Sequence, residues 1–329
     1  MICTGGNPQA EVAMADREPS TDGGAGDGTS LGEGAEKQAR EFMEHRPRLL
    51  GIAYRLLGSM WDAEDIVADA MVRWLGIDRE QIREPAAFLR TMVTRRALDQ
   101  LRSARVARES YIGEWLPEPI GTEPSPLDPL DTVERRESVS LATLRMMEQL
   151  TPPERAVFVL HEAFEVPHAE IAAVLDITMD NSRQHLHRAR SHIGDTNRPF
   201  QPETAAHGQL FERFLGALEG GDLDQLQDVL TADAVAYSDG GGKARAVRYP
   251  LVGVDKVVAF FGALRRHHRI QVEERIEVNG RPAALLWFGR QYQLLAVDVR
   301  AGKIREVHSI MNPDKLEYLR RQLAGQQAG

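Results

Sequence analysis

The 329-residue sequence predicts a multidomain protein in which two all-α helical domains are followed by an α+β domain. Apolar residues recur at helical spacing through two blocks, residues 36–110 and 134–196. Residues 204–325 begin with two short helices and then change to strand-like alternation. The blocks are joined by residues 111–133, which carry five acidic residues and no basic one. This change of texture and charge predicts separate domains and a linker.

Residues 1–35 are expected to form a disordered tail, because Gly, Ser, Asp and Glu offer little apolar surface to offset the ordering entropy. Met14 is an alternative start. There is no apolar run of about 18 residues, so no transmembrane helix is expected, and no signal peptide. Because the single cysteine lies in the tail, we expect a reducing, cytoplasmic setting. Cys3 is the single cysteine, which excludes an internal disulfide and a cysteine-based metal site. The net charge of −9 argues against a protein that coats nucleic acid indiscriminately.

The first helical block contains "WDAEDIVADAMVRWL", for which we predict Asp62 as the N-cap. A loop over residues 76–84 ends at Pro85, a favourable first helical residue. The helix that follows buries apolar residues and exposes arginines, among them Arg90, Arg95, Arg96 and Arg102. A run of exposed arginines is either a solvated face or a nucleic-acid contact.

The second helical block predicts a helix-turn-helix. "LTPPERAVFVLHEAF" begins with Thr151 as N-cap and Glu154 completing a capping box, and "AEIAAVL", "DIT" and "MDNSRQHLHRARSHI" then give a helix, a tight turn and a longer helix. The outer face of the last helix should carry Arg183, Gln184, His187, Arg188 and Arg190. Arginine and glutamine make bidentate hydrogen bonds to base edges, and the other cations hold phosphates. The alternative is the solvated face of a plain helical bundle.

The third block predicts a curved sheet packed on helices. "VDKVVAFFGALRRH" is helical, and four alternating segments from "IQVEERIEV" to "KIREVHSIM" follow it. Turns at Asn279–Gly280 and Ala301–Gly302 suit antiparallel hairpins.

The motifs of the two helical blocks resemble those of a known protein family. "DAEDIVADAMVRWL" resembles region 2.2 of sigma-70 family initiation factors, "EPAAFLRTMVTRRALDQLRSAR" resembles regions 2.3 and 2.4, and the helix-turn-helix block resembles region 4. The compact layout is that of extracytoplasmic-function (ECF) sigma factors.

The resemblance implies that one set of acids docks on core RNA polymerase, namely Asp62, Asp65 and Asp69. It further implies that Arg90, Arg95, Arg96 and Arg102 engage the −10 element with the loop before them, and that Arg183, Gln184, His187, Arg188 and Arg190 read the −35 element. It also implies that the acidic linker threads through core polymerase, where its carboxylates mimic a phosphate backbone.

The last block resembles SnoaL-like domains, NTF2-like cones that one ECF subgroup carries behind region 4. Three signatures of that subgroup are present, "WLPEP" at 115–119, "DGGGK" at 239–243 and "NPDKL" at 312–316. We hypothesise that the linker motif docks on the last domain and fixes the geometry of the DNA-binding domains. The residues concerned are Trp115, Leu116, Pro117, Asp239, Lys243, Asn312, Asp314 and Lys315. Lys243 is expected to pair with Glu114 or Glu118. The alternative is that WLPEP packs only on the second helical domain.

The predicted function is therefore an alternative sigma factor that binds core RNA polymerase and promoter DNA and is regulated in cis by its last domain. The alternative hypothesis for the function is a SnoaL-like ligand-binding or cyclase-like domain with a DNA-binding module as its regulator. Its candidate acids and bases are Tyr237, Asp239, Asp298 and His308, of which Asp298 and His308 face either a cavity or solvent. We predict no enzyme activity, no cofactor, no metal site and no membrane partner. A small-molecule ligand of the last domain is a further candidate partner.

Overall fold

The computed structural model describes residues 28–122, 127, 139–193 and 204–327. The helices are, in chain order, α1 Gly28–Leu57, α2 Met60–Leu75, α3 Pro85–Glu109, α4 Leu141–Met147, α5 Pro152–Phe158, α6 His168–Leu175, α7 Met179–Ile193, α8 Thr204–Gly220, α9 Leu223–Val229, α10 Val254–His267 and α11 Pro313–Gln327. The strands are β1 Leu230–Asp239, β2 Leu251–Val252, β3 Ile270–Val278, β4 Arg281–Phe288, β5 Gln291–Arg300 and β6 Lys303–Ile310. None of these helices has the length and apolar character needed to span a membrane. The predicted order of two helical domains followed by an α+β domain is confirmed.

The first helical domain consists of α1, α2 and α3, with a short 3₁₀ turn at Arg79–Gln81 before the last of them. The prediction of Asp62 as N-cap of α2 is wrong. The cap is Ser59, whose extended backbone precedes the helix and whose hydroxyl accepts the Asp62 N–H at 3.2 Å. The helix α1 begins at Gly28, inside the segment assigned to the tail, and residues 1–27 lie outside the described residues.

The second helical domain contains the predicted helix-turn-helix as α6 and α7. The capping box at its start is confirmed, because the Glu154 carboxylate accepts the Thr151 N–H at 3.0 Å. A π-helical turn, Val159–Ala163, continues α5. Asp176 ends α6 in the left-handed conformation, with φ of 55°, and so produces the tight turn before α7.

The two helical domains share one hydrophobic core. Residues of α1, α2 and α3 pack in the same buried cluster as residues of α5 and α7. Trp74 is fully buried there. The guanidinium of Arg155 is buried as well, and its Nε donates to the backbone oxygen of Arg55 at 3.1 Å, so polar contacts also join the domains.

The α+β domain is built on one sheet with the strand order β2-β1-β6-β5-β4-β3. The strands β3 to β6 form consecutive antiparallel hairpins, whereas β1 pairs with β6 in parallel. The predicted turns at Asn279–Gly280 and Ala301–Gly302 are confirmed, and all four residues have positive φ, which two-residue hairpins of this type require.

The sheet is covered on both faces, and each face has its own hydrophobic cluster. One face packs against α8, α9 and α10, with Phe214 and Phe261 fully or almost fully buried. The opposite face packs against α11, the linker residue Leu116 and the α4 residue Leu141. The second face therefore turns the α+β domain toward the rest of the chain.

Candidate nucleic-acid and interdomain interfaces

The outer face of α7 is open to solvent. All the residues predicted to read the −35 element are exposed, namely Arg183, Gln184, His187, Arg188 and Arg190. The residues predicted to pack inward are buried, namely Ser182, Leu186, Ala189 and Ile193. Arg183 pairs with Asp180 at 2.8 Å and Arg190 with Glu162 at 2.6 Å, and both pairs lie on the surface. Such pairs are weak in water, so they leave these arginines available to phosphates.

The arginines predicted to engage the −10 element are divided between contact with α6 and contact with solvent. Arg90 pairs with Glu170 of α6, and Arg95 donates to the backbone oxygens of Val174 and Ala173 at 2.8 and 3.2 Å. Partial burial lowers the pKa of Arg90, while the Glu170 carboxylate opposes this shift. The helix α6, through Glu170 in its first turn and two carbonyl groups near its end, thus contacts part of this basic face.

Arg96 and Arg102 lie further along α3 and remain exposed. Arg102 pairs with Asp99 one turn before it at 2.8 Å, and Arg96 lies 3.9 Å from Asp69 of α2. The structure therefore does not bring the four arginines predicted to engage the −10 element together in one open surface.

The acids predicted to dock on core polymerase lie along one side of α2. Asp65 and Asp69 are exposed and Asp62 is half-buried in the first turn. The same helix begins beside α11, where the ring of Trp61 meets Tyr318 edge-on with centroids 5.4 Å apart. The C-terminal helix thus borders the acidic side of α2.

The linker meets the α+β domain through a buried carboxylate. Asp239, at the end of β1, is 0 % exposed and accepts hydrogen bonds from the Leu116 N–H at 2.8 Å and the Tyr111 hydroxyl at 2.5 Å. The ammonium of Lys315 donates to the same carboxylate at 2.6 Å and also to the backbone oxygen of Leu116. Asn312 donates to the Tyr111 hydroxyl at 2.9 Å. We call Tyr111, Leu116, Asp239, Asn312 and Lys315 the linker clasp.

Burial governs the electrostatics of the linker clasp. Removal from water lowers the pKa of Lys315 to about 8, and the Asp239 carboxylate limits that shift by favouring the ammonium. Burial and the neighbouring Asp239 charge raise the pKa of Tyr111, so its hydroxyl keeps the proton that it donates. The clasp is therefore a paired and hydrogen-bonded charge cluster rather than an isolated buried charge.

Trp115 fills the space between the first helical domain and the clasp. Its ring lies 3.6 Å from the Arg108 guanidinium and 4.1 Å from the Lys315 ammonium, both cation–π contacts. A β-carbon at Gly58, whose φ is +67°, would lie 2.6 Å from the Trp115 ring, so only glycine fits there. Pro117 is buried against the same glycine.

Glu118 holds the linker on the first helical domain. Its carboxylate accepts the Met60 N–H at 2.6 Å and the Ser59 hydroxyl at 3.1 Å, at the start of α2. Burial raises its pKa, although these hydrogen bonds oppose the shift. Glu118 thus caps a helix, whereas the resemblance implied that the linker carboxylates mimic a phosphate backbone. Glu123, Asp128 and Asp131 lie outside the described residues.

The predicted partner of Lys243 is also wrong. Lys243 pairs with Asp314 on the surface and not with Glu114 or Glu118. Gly241 packs against this junction, and with its φ of +57° a β-carbon there would lie 2.3 Å from the Asn312 amide nitrogen. The signatures DGGGK and NPDKL therefore join each other, and the linker contacts the pair of them.

Sequence reasoning missed a second buried junction, which centres on Asn279. Its amide nitrogen donates at 2.7 Å both to the Tyr54 hydroxyl and to the backbone oxygen of Val139, and its amide oxygen accepts the Ile120 N–H at 3.1 Å. The Tyr54 hydroxyl in turn donates to the Glu118 backbone oxygen at 2.7 Å. The sequence predicted the Asn279–Gly280 turn, but the partners of the Asn279 side chain lie more than 100 residues away along the chain.

The residues considered as catalytic acids and bases lie away from the cavity of the α+β domain. Tyr237 and His308 stand on the sheet face that meets the helical domains, where the Arg145 guanidinium lies 4.0 Å from the Tyr237 ring. The Glu306 carboxylate accepts a hydrogen bond from the Arg145 guanidinium at 2.6 Å and lies 2.9 Å from His308 Nε2. Neither Asp239 nor Asp298 lines the cavity. Over the described ranges, no cluster of His, Cys, Asp and Glu has the geometry of a metal site.

Comparison with known proteins identifies sigma-70 regions in both helical domains. The family model "Sigma-70 region 2" matches residues 42–106, and "Sigma-70, region 4" matches residues 140–193. The chain is 37 % identical over 293 residues to the ECF RNA polymerase sigma factor SigJ of Mycobacterium tuberculosis, a match covering 84 % of this chain and 93 % of that protein. It is 34 % identical over 286 residues to the probable ECF RNA polymerase sigma factor SigI of Mycobacterium tuberculosis, covering 85 % of this chain and 95 % of that protein.

A solved structure extends the likeness to the whole architecture. The crystal structure of Mycobacterium tuberculosis SigJ superposes with a TM-score of 0.69 at 35 % identity, covering 85 % of this chain and 98 % of that one. The match therefore includes the α+β domain behind the two helical domains. On these grounds the chain belongs to the ECF sigma factors of RNA polymerase, which are transcription initiation factors and not enzymes.

Proposed function

We propose that this sigma factor binds core RNA polymerase, reads promoters at a −35 and a −10 element, and is regulated in cis by its α+β domain through the linker clasp. Three surfaces carry the proposal: the basic face of α7, the arginines of α3 and the acidic side of α2. The clasp connects them to the last domain. The linker clasp is the observation on which the regulatory part rests.

The −35 element is assigned to α7. Its exposed residues include Arg183, Gln184 and Arg188, whose side chains carry the donors that recognise base edges in a major groove. The buried face of α7 is held by the helix-turn-helix core, which fixes the direction of these side chains.

The −10 element is assigned to α3, and this assignment requires a change of conformation. Arg96 and Arg102 are exposed, but Arg90 and Arg95 are engaged by α6. Promoter phosphates would compete with Glu170 for Arg90 and with backbone oxygens for Arg95. We therefore assign the described arrangement to the free protein, and promoter binding to a form in which α6 has moved away from α3.

The α+β domain controls that change because the linker between the two DNA-binding domains is fastened to it. Leu116 and Glu118 hold the linker on β1 and on α2, so this part of the linker is fixed while the linker clasp is closed. An opened clasp gives the second helical domain the freedom to reach a −35 element while the first reaches a −10 element.

Run-off transcription with core RNA polymerase tests the proposal, from a promoter selected for the full chain. Three proteins are compared: the full chain, a truncation ending near Gly194 and one ending at Met311, just before Asn312. We expect the truncations to differ from the full chain, and Trp115→Ala to change activity in the same sense as removal of the domain.

Two results would contradict the proposal at different points. A full chain that neither binds core polymerase nor initiates would remove promoter-directed initiation. Equal initiation by all three proteins would retain initiation but remove the cis regulation. The full-length variant Asp314→Asn is the matched control, because it breaks a surface ion pair between the same two signatures without touching the Asp239 carboxylate.

A further inference from the structure

The α+β domain contains a cavity on the sheet face opposite to the linker clasp. Its volume is about 610 Å³, within the range of small-molecule sites. The wall from α10 includes Phe260 and Phe261, and the wall from β4 includes Phe288. Phe261 and Phe288 are almost fully buried. Such aromatic walls favour an apolar, ring-containing ligand.

Among the described residues that line the cavity, Arg245 is the one formally charged side chain, and the other polar groups are histidine, serine and glutamine side chains. Arg245, His267 and His268 line it at exposed positions, which places them at its mouth. No aspartate or glutamate is among the described residues that line it. Deeper in the cavity, the buried Gln293 supplies neutral donor and acceptor groups. This combination favours an apolar molecule with one anionic group at the mouth.

The cavity and the linker clasp share the ends of two neighbouring strands. Ser238 of β1 pairs with Ser309 of β6, and both line the cavity. The next pair in the register is Asp239 and Ile310, which faces the linker side. Successive residues of a strand point to opposite faces of a sheet. A single layer of sheet therefore separates a ligand in the cavity from the carboxylate that holds Leu116.

A second connection runs through Met311. Its side chain lines the cavity, and its backbone N–H donates to the Asp239 backbone oxygen at 2.7 Å. The following residue, Asn312, donates to the same oxygen at 3.0 Å and to the Tyr111 hydroxyl at 2.9 Å. A ligand that displaces Met311 would thus move two members of the linker clasp.

We propose that this cavity binds a small aromatic acid, and that its occupation alters the linker clasp through β1 and the segment Ile310–Asn312. The regulatory half of this inference rests on the proposed function. The binding half does not, because it depends only on the cavity and its lining.

Two fluorescent probes test the binding in the full-length protein. The first, 1-anilinonaphthalene-8-sulfonate, has the aromatic body and the anionic group, and the second, N-phenyl-1-naphthylamine, lacks only the sulfonate. We expect saturable binding of one sulfonate probe per chain, about tenfold tighter than that of the neutral probe. Arg245→Gln should remove most of this difference while leaving the affinity for the neutral probe unchanged.

A filled cavity distinguishes this site from adventitious surface binding. Ala263→Trp places an indole in the cavity and should weaken both probes at least about tenfold. Ala259→Trp is the matched control, because it lies one turn earlier on α10, is exposed and does not line the cavity. Thermal melting of both variants checks that the fold is retained. Equal binding by the two variants, or no saturable binding by the unmodified chain, would overturn the proposal.

Hydrogen exchange of the segment 111–121 tests the connection to the linker clasp. The Leu116 amide is protected by Asp239, so saturation with the sulfonate probe should change its exchange several-fold in the unmodified chain but not in Ala263→Trp. Unchanged exchange at saturation would overturn the coupling. These measurements need no polymerase, so a failed transcription test would remove the cis regulation while the binding result stands independently.

Discussion

Two of the interdomain polar contacts among the described residues, the linker clasp and the contact between α3 and α6, are built differently. At the linker clasp, Asp239 is 0 % and Lys315 5 % exposed, and each hydrogen-bonds to the other and to the linker backbone. At the contact between α3 and α6, the Arg90 side chain is 14 % exposed, its partner Glu170 is 50 % exposed, and Arg95 is exposed. Water reaches the second contact and is excluded from the first.

This difference in exposure indicates which of the two contacts can give up its protein partner for another one. Surface ion pairs contribute little and are screened by salt, so a phosphate backbone competes with Glu170 at small cost. A buried charge that loses its partner is strongly destabilising, because no solvent replaces it. The contact between α6 and the arginines of α3 is thus reversible, whereas the linker clasp opens only when its members are displaced together.

The largest effect is expected from Asp239→Asn, which leaves the buried Lys315 ammonium without its carboxylate. We expect a loss of about 3–5 kcal/mol in the free energy of unfolding, measured by urea denaturation. Asp314→Asn, the exposed control, should cost less than about 1 kcal/mol. The double variant Asp239→Asn with Lys315→Met should recover part of the loss, and equal losses for Asp239→Asn and Asp314→Asn would contradict the comparison.

Next in size is the pH dependence carried by Glu306, which joins β6 to Arg145 of α4. Burial works against its ionisation, but His308 and Arg145 outweigh this and lower its pKa to about 2 from an ordinary 4.5. The lowered pKa means that the stabilisation is complete above about pH 4.5 and is lost as pH falls toward 2. It amounts to about 3 kcal/mol.

Urea denaturation of Glu306→Gln across this pH range checks the expectation. The difference from the unmodified chain should be largest at neutral pH and shrink below pH 4.5. Glu274→Gln, at an exposed position of β3, is the matched control and should show no such trend. A difference that stays constant with pH would show that Glu306 acts through packing alone.

A smaller effect is expected at the open surface of α7. Arg188→Ala should weaken binding to the selected promoter by about 1–3 kcal/mol and leave the free energy of unfolding within about 0.5 kcal/mol, because the residue is exposed. Electrophoretic mobility shift of the holoenzyme measures the first quantity. Arg269→Ala, an exposed arginine of the α+β domain, removes the same charge elsewhere. Similar losses for both variants would indicate a general charge effect and not base readout.

The smallest change in stability is expected at the α3–α6 contact. Glu170→Gln should cost less than about 1 kcal/mol of unfolding free energy, and it should strengthen holoenzyme binding to promoter DNA because Arg90 is released. Binding isotherms over a salt series should show a slope steeper by about one phosphate contact. Glu274→Gln again controls for net charge, and an unchanged slope would mean that Arg90 does not reach DNA.

The local elements of this chain were determined by the sequence itself. The capping box at Thr151, the helix-turn-helix and the Asn279–Gly280 hairpin follow from hydrogen bonds and apolar spacing within a few residues, so a short window contains the information. The three signatures WLPEP, DGGGK and NPDKL predicted that the linker and the last domain meet. They did not specify which side chains meet.

Only the tertiary structure decided those partners. Asp239 holds Leu116 across 123 positions of the chain, Asn279 reaches Tyr54 across 225, and Glu118 caps α2 across 58. It also engaged Arg90 and Arg95 in contacts with α6, although their periodicity marks them as outward-facing. Periodicity reports which side of a helix is apolar, but the partner of a polar side chain depends on how separate elements pack. That packing is set by burial over the whole molecule.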